Sequence, residues 1–227
     1  MPVTEKVCRN ESDAPMRYAR GRILVFAKAP VPGQVKTRLR RVYGQRGAAR
    51  LYQLMLGETL DRAVGLAPME LWCAPSTQHP RLRAFGRRSG AVLRRQILGD
   101  LGQRMAYAFR RALRDADWAL VIGGDCVSLT TADLDQACAT LARGRDAVLG
   151  PAEDGGYVLL GLRRVSRVLF HGVCWSSNRV LRQTRFRLYQ QGYDWDELPK
   201  RWDVDLASDV RRWRQTPGSS RWYSDRT

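Results

Sequence analysis

RILVFAKAPVPGQVKTRL, residues 22–39, changes character twice along its length. Ile23 to Ala27 is a continuous apolar run, the pattern of a central parallel strand covered on both faces. Pro30 and Pro32 then fix their own backbone angles and push their predecessors away from helix, so the strand exits into a stiff loop. Gly33 allows a sharp turn or the close approach of a ligand. Lys36, Thr37 and Arg38 fall near the start of the next helix, where free N–H groups and the helix dipole favour anions, and Lys28 stands at the strand exit. The grouping suits a di- or triphosphate, and on composition alone it suits a solvated basic loop equally well. It is not a P-loop, because the G-x-x-x-x-G-K-[ST] spacing is absent.

Outward from this strand the chain alternates. Residues 46–66 carry apolar residues at helical spacing (Leu51, Leu54, Met55, Leu60, Val64), and MELWCA (69–74) reads as a second strand followed by a short arginine-rich helix. GAVLRRQIL (90–98) gives a third strand. Asp100, three residues before Gln103, marks a capping-box start for a helix reaching about residue 114. WALVIGGDC (118–126) is a strand running into Gly-Gly-Asp, and a helix over 130–143 starts at Thr130 or Thr131. DAVLGPAEDGGYVLLGL (146–162) is two strands around an acidic turn. A helix from about Ser176 to Gln191, a short strand near Tyr193 and WDVDLASDV (202–210) complete the pattern. Such alternation predicts a three-layer α/β domain with a mostly parallel central sheet. Ligands collect beyond the carboxyl ends of strands in sheets of this kind.

The totals narrow the function classes. At 227 residues, with 44% hydrophobic and 27% charged residues, the chain predicts one globular domain over residues 21–214. A flexible extension is expected over 1–20 and a basic polar tail over 215–227. No run approaches the roughly 18 apolar residues of a membrane span. The first twenty residues lack the apolar region of a secretory signal, so the expected location is cytoplasmic. Cys8, Cys73, Cys126, Cys138 and Cys174 are scattered without metal-ligand spacing, and His79 and His171 are the only histidines. The net charge of +17 attracts polyanions. Its densest cluster, Arg81, Arg83, Arg87, Arg88, Arg94 and Arg95, lacks interleaved aromatic stacking platforms, so no specific nucleic acid is expected.

Three strand ends carry candidate chemistry. Asp125 follows a buried strand and two glycines; beside phosphates its natural partner is magnesium, which takes carboxylate and phosphate oxygens together. A turn aspartate is the plainer alternative. Glu153 and Asp154 occupy a glycine-flanked turn that a simple hairpin could also use. Asp205 could cap the last helix. Asp133 with Asp135, and Asp194 with Asp196, share the D-x-D spacing and read as solvated. Lys36 and Arg38 are expected to be exposed, so that their loss would barely change stability.

Together, FAKAPVPGQVKTRL, GDLGQRM, IGGDC, GPAEDGGYVLLGL and WDVDLASDV resemble the radical-SAM/selenodomain-associated transferase family 1, glycosyltransferases of the GT-A type, over about residues 22–212. The first motif is also similar to the Lys-Thr-Arg-Leu loop of guanylyltransferases that build deazaflavin cofactors. The resemblance implies a Rossmann-like nucleotide-diphospho-sugar transferase fold, the GT-A fold, holding a nucleotide at its first strand. It implies that Lys28, Gly33, Lys36 and Arg38 grip the phosphates, with Ala27, Thr37 and Gly124 beside them. It makes Asp125 and Asp205 the ligands of magnesium or manganese, Asp125 a catalytic residue in that role. It places Asp154, Gly155 and Gly156, flanked by Glu153 and Tyr157, at the acceptor pocket, with Asp154 the catalytic base. Val127 stands where relatives usually carry proline after the aspartate, which predicts a looser loop there. Three functions follow as expectations: a glycosyltransferase using a nucleotide-sugar and a small-molecule acceptor; a nucleotidyltransferase joining an NTP to a phosphorylated acceptor; and a non-catalytic RNA-binding module.

Overall fold

A computed structural model describes residues 16–216. The expected extension therefore falls outside the described residues over 1–15, as does the expected tail over 217–227 and, with it, no structural statement attaches to Cys8. Seven strands form one sheet in the order β3-β2-β1-β4-β6-β5-β7. At its centre β1 (Gly21–Lys28) pairs in parallel with β2 (Met69–Ala74) and β4 (Trp118–Gly123), placing Phe26 opposite Trp72 on one side and Gly123 on the other. The edge strand β3 (Val92–Arg95) extends β2 in parallel. Beyond β4 lie β6 (Tyr157–Leu162), β5 (Ala147–Pro151) and β7 (Trp195–Glu197). β6 is antiparallel to both β4 and β5, while β7 is parallel to β5. Among the described residues only β6 runs against the rest, so β1, β4 and β5 end at the same edge of the sheet.

The period of two along β1 divides the core. Ile23 and Val25 point toward α1 (Arg40–Ala63), α2 (Pro80–Ser89) and α4 (Thr131–Ala142), packing with Leu56, Leu60, Leu82 and Leu134. Leu24 points the other way, into a layer with Trp72 and with Met105, Phe109, Leu181 and Leu188 of α3 (Leu101–Ala112) and α5 (Val180–Gln190). Helices on both faces make the three layers that the alternation predicted. A smaller cluster joins Leu39, Leu51 and Met55 to Val127, Val204 and to Val210 and Trp213 of α6 (Ala207–Arg214).

The starts of α3 and α4 follow their capping chemistry. Gln103 N donates to Asp100 Oδ1 at 2.8 Å and Asp100 N to Gln103 Oε1 at 2.9 Å, while Thr130 caps α4 reciprocally with Asp133. Four boundaries and two assignments differ from expectation. The third strand, expected over 90–98, covers only Val92–Arg95. α1 begins at Arg40, interrupted at Gly44 (φ 67°), so the apolar spacing revealed only its later turns. α5 begins at Val180 because Ser176, at φ 63°, takes a left-handed conformation that a right-handed helix does not pass through. The last short strand starts at Trp195, after Tyr193. Asp205 does not cap α6: Leu206 holds that position, and the Asp209 carboxylate accepts from Leu206 N at 2.6 Å and Asp205 N at 3.0 Å. Asp133 is buried rather than solvated, because Arg201 Nη2 reaches its Oδ1 at 2.6 Å. Asp135 pairs with Arg17, and Asp194 and Asp196 pair with Arg145 at the surface.

Candidate functional site

The loop leaving β1 is braced before it reaches its charges. Ala29 N donates to Ala74 O at 2.7 Å, Gly33 turns at φ 83°, and Val35 sinks beside Ala49 and Tyr52. Lys36 then takes φ 44°, ψ 50°, a left-handed conformation costing a residue other than glycine about 1–3 kcal/mol. A single 3-10 turn, Thr37–Leu39, carries the chain from there into α1. The side chain of Lys36 turns inward, only 6% exposed, with Nζ 2.8 Å from Asp125 Oδ2 and 3.1 Å from Asp205 Oδ1. Arg38 approaches from outside, its Nη1 2.9 Å from Asp205 Oδ2. Burial alone would lower the pKa of the Lys36 ammonium; Asp125 and Asp205 outweigh it and the net shift is upward. The expectation of two exposed cations therefore holds for Arg38 and fails for Lys36, which the loop delivers into a cluster of carboxylates.

The β4 end explains its glycines. A Cβ on Gly124 would stand 2.8 Å from Leu56 Cδ1 and 3.2 Å from the Phe26 carbonyl, so only glycine lets β1 and α1 close on this turn. Asp125 follows directly. The loop beyond it is not loose: Val127 is buried among Leu39, Val204 and Trp213, and Trp202 N donates to Ser128 Oγ at 2.8 Å. Asp203, on the same segment as Trp202, has its carboxyl pushed up to about 6, first by burial and then by Asp205, with Asp125 and Asp154 adding to it and Lys36 opposing.

These groups open on a pocket of about 360 Å³, within the usual size of small-ligand sites. Ala27, Lys28, Lys36, Thr37, Arg38, Asp125 and Asp205 line it; Gly124 packs behind two further lining residues, Phe26 and Tyr52, whereas Gly33 turns the loop against Gln45 and is not part of the lining. The rest of the lining includes residues that the motifs did not single out. Gln96, buried at the end of the third strand, donates from Nε2 to Trp72 O at 2.7 Å and accepts from Arg104 Nη1 at 3.4 Å. Arg104 is itself braced by Nε on Gly99 O at 3.0 Å. Tyr52 accepts the Lys28 N–H at 2.9 Å. A polar residue at the carboxyl end of a strand was the available signal for Gln96; for Asp203, the D-x-D spacing with Asp205 was visible but had no neighbour to interpret it.

The acidic turn after β5 is built differently. Asp154 is exposed and its Oδ1 accepts from Gly156 N at 2.9 Å. Glu153 pairs with both ends of the Arg212 guanidinium, at 2.8 and 2.9 Å, which holds its carboxyl below the usual range. Gly155, at φ 86°, lies so close to the backbone of Asn178 that a Cβ would sit 2.4 Å from its carbonyl oxygen. The Tyr157 side chain turns into the layer beneath α3, its hydroxyl 4.0 Å from Met105 Sδ. Of the five candidate acceptor residues, Asp154 keeps a carboxylate toward solvent, Glu153 is committed to α6, Gly155 and Gly156 shape the turn, and Tyr157 opens β6 with its side chain in the core layer.

The donor set fits a hard divalent cation that is completed by phosphate. Asp125 and Asp205 present carboxylate oxygens on either side of one ammonium, their side chains 33% and 43% exposed. Among the described residues no three acidic, His or Cys side chains converge as a closed cage. One or two carboxylates plus substrate oxygens is the arrangement magnesium accepts.

The sheet order with its single reversed strand, and the pocket at the ends of β1 and β4, define the nucleotide-diphospho-sugar transferase fold, which solved structures share. A Desulfovibrio desulfuricans G20 protein, provisionally assigned as a nucleotide-diphospho-sugar transferase, is 29% identical with a TM-score of 0.81, over 89% of this chain and 91% of that one. CMP:2-keto-3-deoxy-manno-octonic acid synthetase complexed with CTP is 10% identical (TM-score 0.55; 86% of this chain, 97% of the other). The 4-diphosphocytidyl-2C-methyl-D-erythritol synthase of Anaerococcus prevotii DSM 20548 is 6% identical (TM-score 0.56; 86% and 96%). At such identities the last two attest the fold alone. No curated protein matches the chain. Residues 59–177, more than half of it, match the family described as uncharacterized protein conserved in bacteria (DUF2064), and the protein belongs to that family.

Proposed function

We propose that the protein is a magnesium-dependent glycosyltransferase of the GT-A type, taking a nucleotide-diphospho-sugar donor and a small-molecule acceptor in the cytoplasm, within the radical-SAM/selenodomain-associated branch its motifs resemble. The observation that carries this reading is the clamp of Lys36 between Asp125 and Asp205 at the mouth of the pocket. A strained lysine buried against two carboxylates is a poor way to stabilise a fold, since the desolvation of such charges offsets much of their attraction. It is a good way to keep cationic and anionic groups ready for a ligand that carries both signs. Asp125 and Asp205 would hold magnesium, or manganese in its place, which supplies positive charge to phosphate oxygens as the nucleotide departs. Lys36 and Arg38, released from Asp205, would turn to the diphosphate. Lys28, Thr37, Gln96 and Arg104 border the same space. Asp154, the solvent-facing carboxylate of the acidic turn, would take the proton of the acceptor hydroxyl.

One observation favours nucleotidyl transfer instead. Lys28, Lys36 and Arg38 bring three cations to one pocket wall, and a triphosphate has more charge for them to neutralise than a nucleotide-sugar. A thermal-shift screen of nucleoside mono-, di- and triphosphates and common nucleotide-sugars, with and without magnesium, separates the two. A magnesium-dependent shift with a nucleotide-sugar but not with its matching triphosphate is expected; the reverse pattern selects the nucleotidyltransferase. No shift with any nucleotide would defeat both.

A further inference from the structure

Outside the pocket lining, a buried ion pair on α1 contacts the loop that follows Asp125 and the helix that follows Asp205. Glu58 is 5% exposed and lies one helical turn before Arg62. Its Oε1 pairs closely with Arg62 Nη2, and its Oε2 accepts from Trp213 Nε1 of α6 at 2.8 Å. Arg62 Nη1 in turn donates to the carbonyls of Val127 at 2.6 Å and Leu129 at 2.7 Å, which bracket the loop just beyond Asp125. On the other arm, Trp213 fixes α6, whose Asp209 holds the backbone N–H of Asp205 at 3.0 Å. Polar contacts therefore run from the loop of one carboxylate through Arg62 and Glu58 to Trp213, and the turn of α6 between Trp213 and Asp209 completes the path to the backbone of the other.

We infer that Glu58 and Arg62 are positioning residues that set the separation of Asp125 and Asp205, and so tune the affinity of the site for a divalent cation. The inference rests on the magnesium reading above. Packing alone does not account for the pair, because well-fitted apolar side chains would fill this interior at no electrostatic cost. The guanidinium instead spends its donors on two loop carbonyls and a carboxylate at once, an arrangement that fixes geometry as well as charge. α1 makes a second contact with the same loop: Leu56, two residues before Glu58, is the side chain that Gly124 leaves room for. The helix thus meets the β4 exit at Gly124 and again at residues 127 and 129, on either side of Asp125.

The test uses the full chain and Mn²⁺ alone, followed by electron paramagnetic resonance of the free ion, with amide hydrogen exchange over residues 126–130 read in metal-free buffer. Glu58→Gln and Arg62→Gln are expected to raise the half-saturating Mn²⁺ concentration by about 2–30-fold, the scale of changes transmitted through a contact network and smaller than the effect of removing a group bonded directly to a metal ligand. Arg62→Gln should also speed exchange across 126–130, and Arg62→Lys should recover part of both effects. Trp213→Phe keeps the ring but removes the donor to Glu58, so it tests the α6 arm where the Glu58 and Arg62 variants fail to fold. Variants that lose melting temperature yet keep wild-type Mn²⁺ affinity and exchange would overturn the inference while leaving the metal reading intact. A wild-type protein that takes up no Mn²⁺ would remove the metal reading and the inference with it.

Discussion

Asp125 and Asp154 look alike in the sequence and end up in opposite situations. Each is a carboxylate next to two glycines at the end of a buried strand, in IGGDC and in EDGGY. Asp125 lies 2.8 Å from a buried ammonium and shares it with Asp205. Asp154 stays exposed, folded back on the N–H of Gly156, while its neighbour Glu153 is taken by Arg212. The glycines differ in purpose as well: Gly124 admits Leu56 and the Phe26 carbonyl, and Gly155 turns at positive φ under Asn178. What separates the two aspartates is therefore the partner that the rest of the chain brings, one a cation from the first loop, the other solvent. In the proposed reaction the first suits a metal and the second a proton acceptor.

The strongest attempt to break this contrast is Asp125→Asn. The change preserves shape and removes a charge that both Lys36 and a cation would need. Magnesium-dependent nucleotide affinity, measured by calorimetry with magnesium and then with a chelator, is expected to fall at least about 100-fold, the upper end of what even an outer partner of a metal ligand contributes. Affinity equal to wild type in magnesium would take Asp125 out of the site and leave its pairing with Lys36 a structural feature.

A smaller effect is expected at Asp203, which senses both aspartates. Its carboxyl is pushed up to about 6, above the ordinary aspartate value, by burial and by Asp205, Asp125 and Asp154. The folded state therefore holds this proton more tightly than the unfolded chain. Its favourable contribution is present in acid and is lost as pH rises from the usual aspartate range through about 6. Asp203→Asn should leave the melting temperature at pH 4 nearly unchanged and raise it at pH 7.5 by a few degrees, at roughly 2–4 °C per kcal/mol for a chain of this size. Saturating magnesium should shrink that gain by supplying the missing positive charge. Equal gains at both pH values would show that the Asp203 carboxyl is not raised by its burial beside Asp205.

Much of this is legible in the amino-acid sequence alone. The continuous apolar run from Ile23 to Ala27, the capping pair Asp100 and Gln103, and the glycines at the β4 end are local signals, and each strand and helix core they mark is present. The pocket residues on the first loop were legible for the same reason, since prolines, glycine and cations lie within one short stretch. What local signals do not carry is the partner. Nothing around Lys36 says that its backbone will turn left-handed and bury the ammonium, because that depends on carboxylates from β4 and from the segment before α6. The same holds for Asp133, read as solvated until Arg201 covers it, and for Gln96, whose role follows from Trp72 and Arg104. The start of α5 was misplaced by one conformational choice at Ser176.

The smallest expected change in binding belongs to the other member of the pair. In Asp154→Asn the side-chain oxygen that accepts from Gly156 N is retained, so the turn and its contact with Asn178 should persist. Asp154 has no cation of the first loop beside it, and an exposed charge is well screened. Magnesium–nucleotide affinity should therefore stay within about two-fold of wild type, well inside the 0–1 kcal/mol of an exposed charge interaction. Turnover should not. If Asp154 takes the acceptor's proton, an amide cannot replace it, and transfer should slow by about 10²–10⁴-fold, the usual contribution of a general base. Hydrolysis of the donor by water offers a second readout, because it needs no acceptor to be seated. A variant with intact binding and intact transfer would make Asp154 a turn residue alone; one that loses binding as Asp125→Asn does would erase the distinction between the two strand ends.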